Sequence, residues 1–256
     1  MQTIPKPKKS EHKIPFNKGA ILGNELAYIK EAVDSNVISG EGYFAKRCEA
    51  LIQELMGQNK IQKPEALLTP SCTHALEMCA LLLELKEGDE VIMPSFTFVS
   101  TAIAFALRGV KIVFADICPE TLNITPEEIE KRITKKTKAI VLVHYAGFAC
   151  EMSEIMRISQ EHDIPVVEDA AHALGTIYQG QALGSFGAFS TFSFHETKNV
   201  SCGEGGSLVV NDPKYIDRAH IIRDKGTNRR NFQRGDVPFY SWVDLGAGAV
   251  IGDGVG

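Results

Sequence analysis

The sequence lacks most of the features that would tie it to a metal, a membrane or a nucleic acid. Its six cysteines (48, 72, 79, 118, 150 and 202) form no CxxC pair and have no histidine at zinc-like spacing. That argues against a zinc module and against a secreted disulfide scaffold. The thiols read as reduced and structural, which fits a cytoplasmic protein, and no metal site is expected. No apolar run approaches the roughly 18–20 residues of a membrane-spanning helix, so no membrane partner is expected. The first residues, "MQTIPKPKKSEHK", are basic without an apolar core, unlike a secretory signal, and residues 1–13 read as a flexible arm. Positive charge is not in excess: the net charge is −5, which disfavours nucleic acid as a partner because phosphate binding needs a basic face. Internal repeats and low-complexity linkers are also missing.

What is present is the material of an α/β protein. With 256 residues, 44% hydrophobic and 23% charged, the chain has enough apolar side chain for a sizeable core. "EVIMP" (90–94), "VKIVFAD" (110–116), "KAIVLVH" (138–144), "IPVVED" (164–169), "AFSTFSF" (188–194) and "GGSLVV" (205–210) read as strands. The central ones are apolar and β-branched without alternation, as strands covered on both faces are. Amphipathic stretches lie between them. In "THALEMCALLLEL", Leu76, Cys79, Ala80 and Leu83 recur at i, i+3, i+4 and i+7 and make one buried stripe. "TPEEIEKRI" offers Thr125 as N-cap, Pro126 at the first helical position and Glu128 to complete a capping box. "CEMSEIMRISQEHD" sets Met152, Ile155 and Met156 on one face. This alternation predicts an α/β fold with a mostly parallel sheet and helices on both faces. Ligands of such sheets bind beyond the carboxyl ends of the strands, where residues 95–98, 144–145, 169–172 and 193–198 fall.

Four features there carry chemistry. In "TPSCTHALEM" a helix starts at about Thr73, and its free N–H groups with the Ser71 and Thr73 hydroxyls make an anion site; plain N-capping is the bland alternative. In "VVEDAAH", Asp169 follows a buried strand, where a carboxylate needs a cation or donors. It suits either a helix N-cap or a protonated ring nitrogen. "PSFTFVST" sets Phe96 and Phe98 after a strand, as core residues or as a face for a planar cofactor. In "FSFHETKN", Lys198 at a strand end would be partly desolvated, which favours the neutral, nucleophilic amine; a solvated surface lysine is the competing reading. Ser193, five residues earlier, can reach the same phosphate as Thr73. Taken together, an anion site, a stacking ring, a carboxylate and a lysine are the parts that hold pyridoxal phosphate (PLP).

The segments that carry these residues resemble a known family. "PSFTFVST", "VVEDAAH", "SFHETKN" and "GEGG" are similar to motifs of the DegT/DnrJ/EryC1/StrS sugar aminotransferases. The likeness runs from "IPFNKGAILGNELAYIKEAVDSNVISGEG" to about Trp242. It implies a type I, aspartate aminotransferase-like fold, with residues 14–245 as the PLP-binding large domain. It also implies roles: Lys198 bonds the cofactor and shuttles the proton, Asp169 pairs with the pyridinium nitrogen, and Phe98 stacks on the ring. His172 would sit near the ring, while Ser193, Thr73 and the backbone of Cys72 would hold the phosphate. The implied reaction moves an amino group from glutamate to the 4-keto carbon of a dTDP-linked 4-keto-6-deoxyhexose, in a homodimer when full length. Some relatives carry histidine in place of the lysine and are dehydratases; Lys198 favours transamination.

Two alternatives stay open: another PLP-dependent reaction on a sugar nucleotide, and a non-catalytic remnant or regulatory binding protein that keeps the fold. The second is motivated by "GAGAVIGDGVG" (246–256), with five glycines in eleven residues. It reads as an atypical, truncated tail where family members continue into helices and a small C-terminal domain, which is expected to be missing here. Activity of the short chain is then in doubt. "RDKGTNRR" (223–230) reads equally as a basic loop for a diphosphate and as a solvated charged loop.

Overall fold

A computed structural model describes residues 18–19, 21–57 and 63–253; the arm expected at 1–13 lies outside them. In chain order the helices are α1 (Glu25–Asp34), α2 (Tyr43–Met56), α3 (Cys72–Leu82), α4 (Val99–Ala106), α5 (Pro126–Glu130), α6 (Met152–His162), α7 (Ile216–Arg223) and α8 (Arg229–Arg234). The strands are β1 (Glu65–Thr69), β2 (Glu90–Pro94), β3 (Lys111–Ala115), β4 (Thr137–Val143), β5 (Val166–Asp169), β6 (Ile177–Tyr178), β7 (Gln181–Ala182), β8 (Phe189–Ser193) and β9 (Gly206–Val210).

Seven strands form one sheet in the order β1-β9-β8-β5-β4-β2-β3, and β6 and β7 make a separate small hairpin. Pairing is parallel from β8 across to β3. β9 runs the other way, antiparallel to both β8 and β1. The sheet is therefore mostly parallel, as expected, and β9 is reversed because it returns directly from β8 without a crossover helix. Both faces are covered. Ile92, Ile140, Leu142, Val166 and Phe192 pack with Ile52 and Met56 of α2, Ile129 of α5 and Met152, Ile155 and Ile158 of α6. On the other face Val91, Met93, Val141, Val167, Phe189 and Leu208 pack with α3, with Phe105 of α4 and with Ile222 of α7. Burial on both sides is why these strands read as unbroken apolar runs. The architecture is the α/β one expected from the sequence, a mostly parallel sheet with helices on both faces.

The six expected strands are present to within two residues at either end. β1 and the β6–β7 hairpin are additional, and α3 starts at Cys72 rather than Thr73. The α5 capping box forms on one side only. Thr125 Oγ1 accepts the Glu128 N–H at 3.3 Å, but the Glu128 carboxylate is paired with Lys131 and Arg132.

The glycine-rich stretch after residue 245 is irregular, as expected, yet its described part is packed. The Ala247 and Ala249 N–H groups bond to the carbonyls of Ile222 and Arg223 at the end of α7, and Ala249 is fully buried. The Asp253 carboxylate accepts the N–H groups of Phe44 and Ala45, both at 3.0 Å, and so caps α2 from 208 residues away along the chain. α1, by contrast, buries Ala32 while Leu26, Ile29 and Val33 face outward.

Candidate active site

Three parts of the chain meet at the carboxyl end of the sheet. The first is the start of α3. Ser71 is its N-cap: extended backbone sets its hydroxyl to accept the His74 N–H at 3.3 Å. The first-turn N–H groups, including those of Cys72 and Thr73, have no partner inside the helix and point to where an anion would lie. Gly206, at the start of β9, runs directly beneath. A Cβ there would stand 2.3 Å from Cys72 N and 2.3 Å from the Ser71 carbonyl carbon, so only glycine lets strand and helix end approach this closely. This is a physical reason for the last glycine of "GEGG". The Thr73 hydroxyl donates to Ser100 Oγ at 2.8 Å and ties α3 to α4.

The second part is Asp169, the last residue of β5 and 5% exposed. Its Oδ2 accepts the Thr101 hydroxyl at 2.7 Å and its Oδ1 accepts the Ala171 N–H at 3.2 Å. Burial pushes its pKa up, opposed by these two hydrogen bonds and by the nearby charges of His172 and Lys198. The neighbouring Cys72 thiol is driven well up by burial and by the Asp169 charge, which makes it an inert thiol rather than a nucleophile. Asp169 does not cap a helix; the turn that follows brings His172 round to face the same space.

The third part is Lys198, half-buried on the loop between β8 and β9. That loop is held at its base by Phe194 N–H to Gly205 O and Cys202 N–H to Phe194 O, and Lys198 N–H bonds to His195 O. Lys198 Nζ reaches His172 Nε2 at 2.8 Å. His172 Nδ1 accepts the Ala146 N–H at 3.2 Å. Burial, reinforced by the Lys198 charge, lowers the His172 pKa against the pull of Asp169, so the ring is neutral near pH 7.

Of the residues singled out in the sequence, Asp169, His172 and Lys198 converge directly, and Cys72 adjoins Asp169. Ser193, at the end of β8, accepts the His195 N–H at 3.4 Å. Phe98 is the N-cap of α4 and is 75% exposed, with no ring against it among the described residues. Phe96, Tyr145 and His172 form an aromatic row, with ring centroids 4.8 and 6.0 Å apart. Thr101 was not legible as a site residue; the one signal for it is its i, i+4 spacing from Thr97 across a helix start. The basic loop at 223–230 is largely committed to carboxylates. Arg223, 4% exposed, holds Glu41 and Glu49, Arg230 faces Glu65 at 3.5 Å, and Lys225 and Arg229 face Asp224. Arg223 is thus a structural cation and not a diphosphate ligand.

The sequence profile described as the DegT/DnrJ/EryC1/StrS aminotransferase family matches residues 20–243. An uncharacterized protein of Methanocaldococcus jannaschii is 42% identical over 181 residues, which are 71% of this chain and 47% of that protein. DesI, solved in the presence of its TDP-sugar product, superposes with a TM-score of 0.80 at 30% identity, covering 94% of this chain and 57% of that one. Spr1654 of Streptococcus pneumoniae, assigned as a sugar aminotransferase, superposes in its PLP form with a TM-score of 0.80 at 28% identity, covering 92% and 62%. The chain thus spans about half the length of that archaeal relative and less than two thirds of each of these structures.

Proposed function

This chain belongs to the DegT/DnrJ/EryC1/StrS aminotransferase family, and on that premise we propose that it moves an amino group from glutamate to the 4-keto carbon of a dTDP-linked 4-keto-6-deoxyhexose, with PLP as cofactor. The observation that carries this reading is the convergence of Lys198 and His172, 2.8 Å apart, with the buried Asp169 carboxylate. The substrate rests on likeness. "LLTPSCT", "VHYAGFACEM", "SFHETKN" and "IIRDKGTNR" resemble the dTDP-4-amino-4,6-dideoxygalactose transaminase of enterobacterial common antigen synthesis. DesI, with its TDP-sugar product, supports the nucleotide.

The chain's own groups fit the cofactor. Asp169 engages one donor on each oxygen, and a carboxylate has roughly four acceptor positions, so room remains for a protonated ring nitrogen. The Thr191 hydroxyl, beside Asp169 in the sheet register, is buried with only the weak Cys72 thiol as a partner among the described residues and keeps hydrogen-bonding capacity for an occupant. The bare backbone of Gly206 keeps the N–H groups at the start of α3 clear of side chain.

When bound, PLP supplies an electron sink for the carbanion formed at the substrate carbon. In this reading Asp169 keeps the ring nitrogen protonated, and the N–H groups of Cys72 and Thr73 with the Ser193 hydroxyl hold the phosphate. Phe98 would pack against the ring face. Lys198 Nζ would hold the cofactor and would carry the proton to and from the substrate carbon, with His172 positioning that nitrogen. The reading includes a cytoplasmic homodimer. It is supported by six free cysteines, by no helix among the described residues being long and apolar enough to cross a membrane, and by the outward apolar face of α1.

The test is to add PLP to the purified chain, follow its absorption, reduce with borohydride and map the adduct by mass spectrometry, with Lys198→Ala as control. A single adduct on Lys198, followed by amino transfer from glutamate to the dTDP-4-keto sugar in preference to other keto sugar nucleotides, is expected. No adduct, or one spread over many lysines, would overturn it.

A further inference from the structure

Asp169 is reached from behind by a side chain that lies 68 residues earlier. Thr101, in the first turn of α4, is fully buried, and its hydroxyl sits 2.7 Å from Asp169 Oδ2. Thr97 Oγ1 lies 2.8 Å from Thr101 Oγ1. A hydroxyl has one proton to give, and an ionised carboxylate has none. The Thr101 proton therefore goes to Asp169, and the Thr101 oxygen is left to accept from Thr97. The hydrogen bonds run in one direction, Thr97 to Thr101 to Asp169. Hydroxyl donors to a charged carboxylate are among the stronger hydrogen bonds, and each donor in such a chain polarises the next.

From this geometry we infer that Thr101, backed by Thr97, is the positioning residue of Asp169: it fixes the rotation of the carboxylate and holds it in its charged form. The inference deepens the reading of Asp169 as the partner of a ring nitrogen and rests on it for its catalytic meaning. A threonine early in a helix commonly turns its hydroxyl back to its own backbone; this one is turned across to another element. The remaining groups that face Asp169 are few. The Ala171 N–H occupies the other oxygen, Lys198 favours its charge, the His172 ring stands nearby, and the Cys72 thiol, itself pushed up by burial and by Asp169, is a neutral neighbour. Without the Thr101 hydroxyl, burial is opposed by one fewer donor. The carboxylate then takes up a proton at higher pH, and a neutral acid cannot keep a ring nitrogen protonated.

The test is made first on the cofactor-free chain. The ionisation of Asp169 is followed by carbon NMR of labelled aspartate, assigned with Asp169→Asn, in wild type, Thr101→Val and Thr101→Ser. Thr101→Val is expected to raise the pH of ionisation by about one unit or more, and Thr101→Ser to restore it. PLP affinity should fall about tenfold or more in Thr101→Val and recover in Thr101→Ser. A Thr101→Val protein that titrates like wild type overturns the inference. So does a Thr101→Ser protein that behaves like Thr101→Val, because the methyl group would then be responsible. Should Thr101→Val not fold, Thr97→Val carries the test: a smaller shift in the same direction supports the relay, and no shift overturns it. If wild type binds no PLP, the proposed function fails, while the titration still decides the role of Thr101.

Discussion

Lys198 Nζ and His172 Nε2 lie 2.8 Å apart, and the far nitrogen of that imidazole accepts the Ala146 N–H. Both ring nitrogens are thus engaged, one by the backbone that follows β4 and one by the lysine, so the imidazole is fixed in orientation and in turn fixes where the lysine nitrogen sits.

The same histidine predicts a pH dependence. Its pKa is lowered in the folded chain by burial and then by Lys198, so the unfolded chain binds the proton more readily. Stability contributed here is full above the ordinary imidazole pKa of about 6.5 and is lost as pH falls toward the folded value. Urea midpoints of wild type should drop between about pH 7 and pH 5 by more than those of His172→Gln. Equal drops in the two proteins would remove His172 from the account.

Glu168 and His144 form a wholly buried pair at 3.0 Å behind the site. The Glu168 carboxylate also accepts the N–H groups of Gly184, Phe186 and Gly187, at 2.7, 2.8 and 2.7 Å. Glu168→Gln turns an amide NH₂ toward donors that need an acceptor. We expect a loss of about 3–5 kcal/mol in urea unfolding, typical of breaking a buried charged network. A loss below about 1 kcal/mol would mean that the network is easily rearranged.

Gly206→Ala drives a methyl group into the backbone of Ser71 and Cys72. Neither backbone segment can yield without moving the start of α3. The expected outcome is a stability loss of about 1–3 kcal/mol together with weaker PLP binding. Adding a β-carbon at Gly88, where nothing lies within 4 Å, is the control for handling a glycine substitution, since its positive φ costs backbone strain alone. Unchanged PLP affinity in Gly206→Ala would count against the start of α3 as the phosphate site.

Asp253→Ala removes the carboxylate that caps α2. Two N–H groups lose their acceptor and the helix start loses a favourable charge, so about 1–2 kcal/mol should disappear, with faster hydrogen exchange at Phe44 and Ala45. Unchanged exchange at those two amides would show the cap to be dispensable.

The strands of the central sheet were legible because burial on both faces demands unbroken β-branched and apolar runs, and α5 because Thr125 and Pro126 are local signals. β1 was not, since "EALLT" is too short to tell from any apolar run until it pairs with β9. The packing of 246–253 was hidden for a similar reason: a glycine-rich stretch shows no face of its own, and its partners, Ile222, Arg223 and α2, are supplied by other parts of the chain.

The residues of the site divide in the same way. By itself the sequence determined which side chains stand at strand ends, because strand ends follow from hydrophobic pattern, and it determined that a carboxylate, a lysine and a helix start are among them. Only the tertiary structure decided that His172 lies against Lys198, that Arg223 is spent on Glu41 and Glu49, and that Thr101 holds Asp169. A hydrogen bond between residues 26 or 68 positions apart depends on distances of a few tenths of an ångström, which are set by the packing of α4 and the lysine loop against the sheet and leave no periodic mark in the chain.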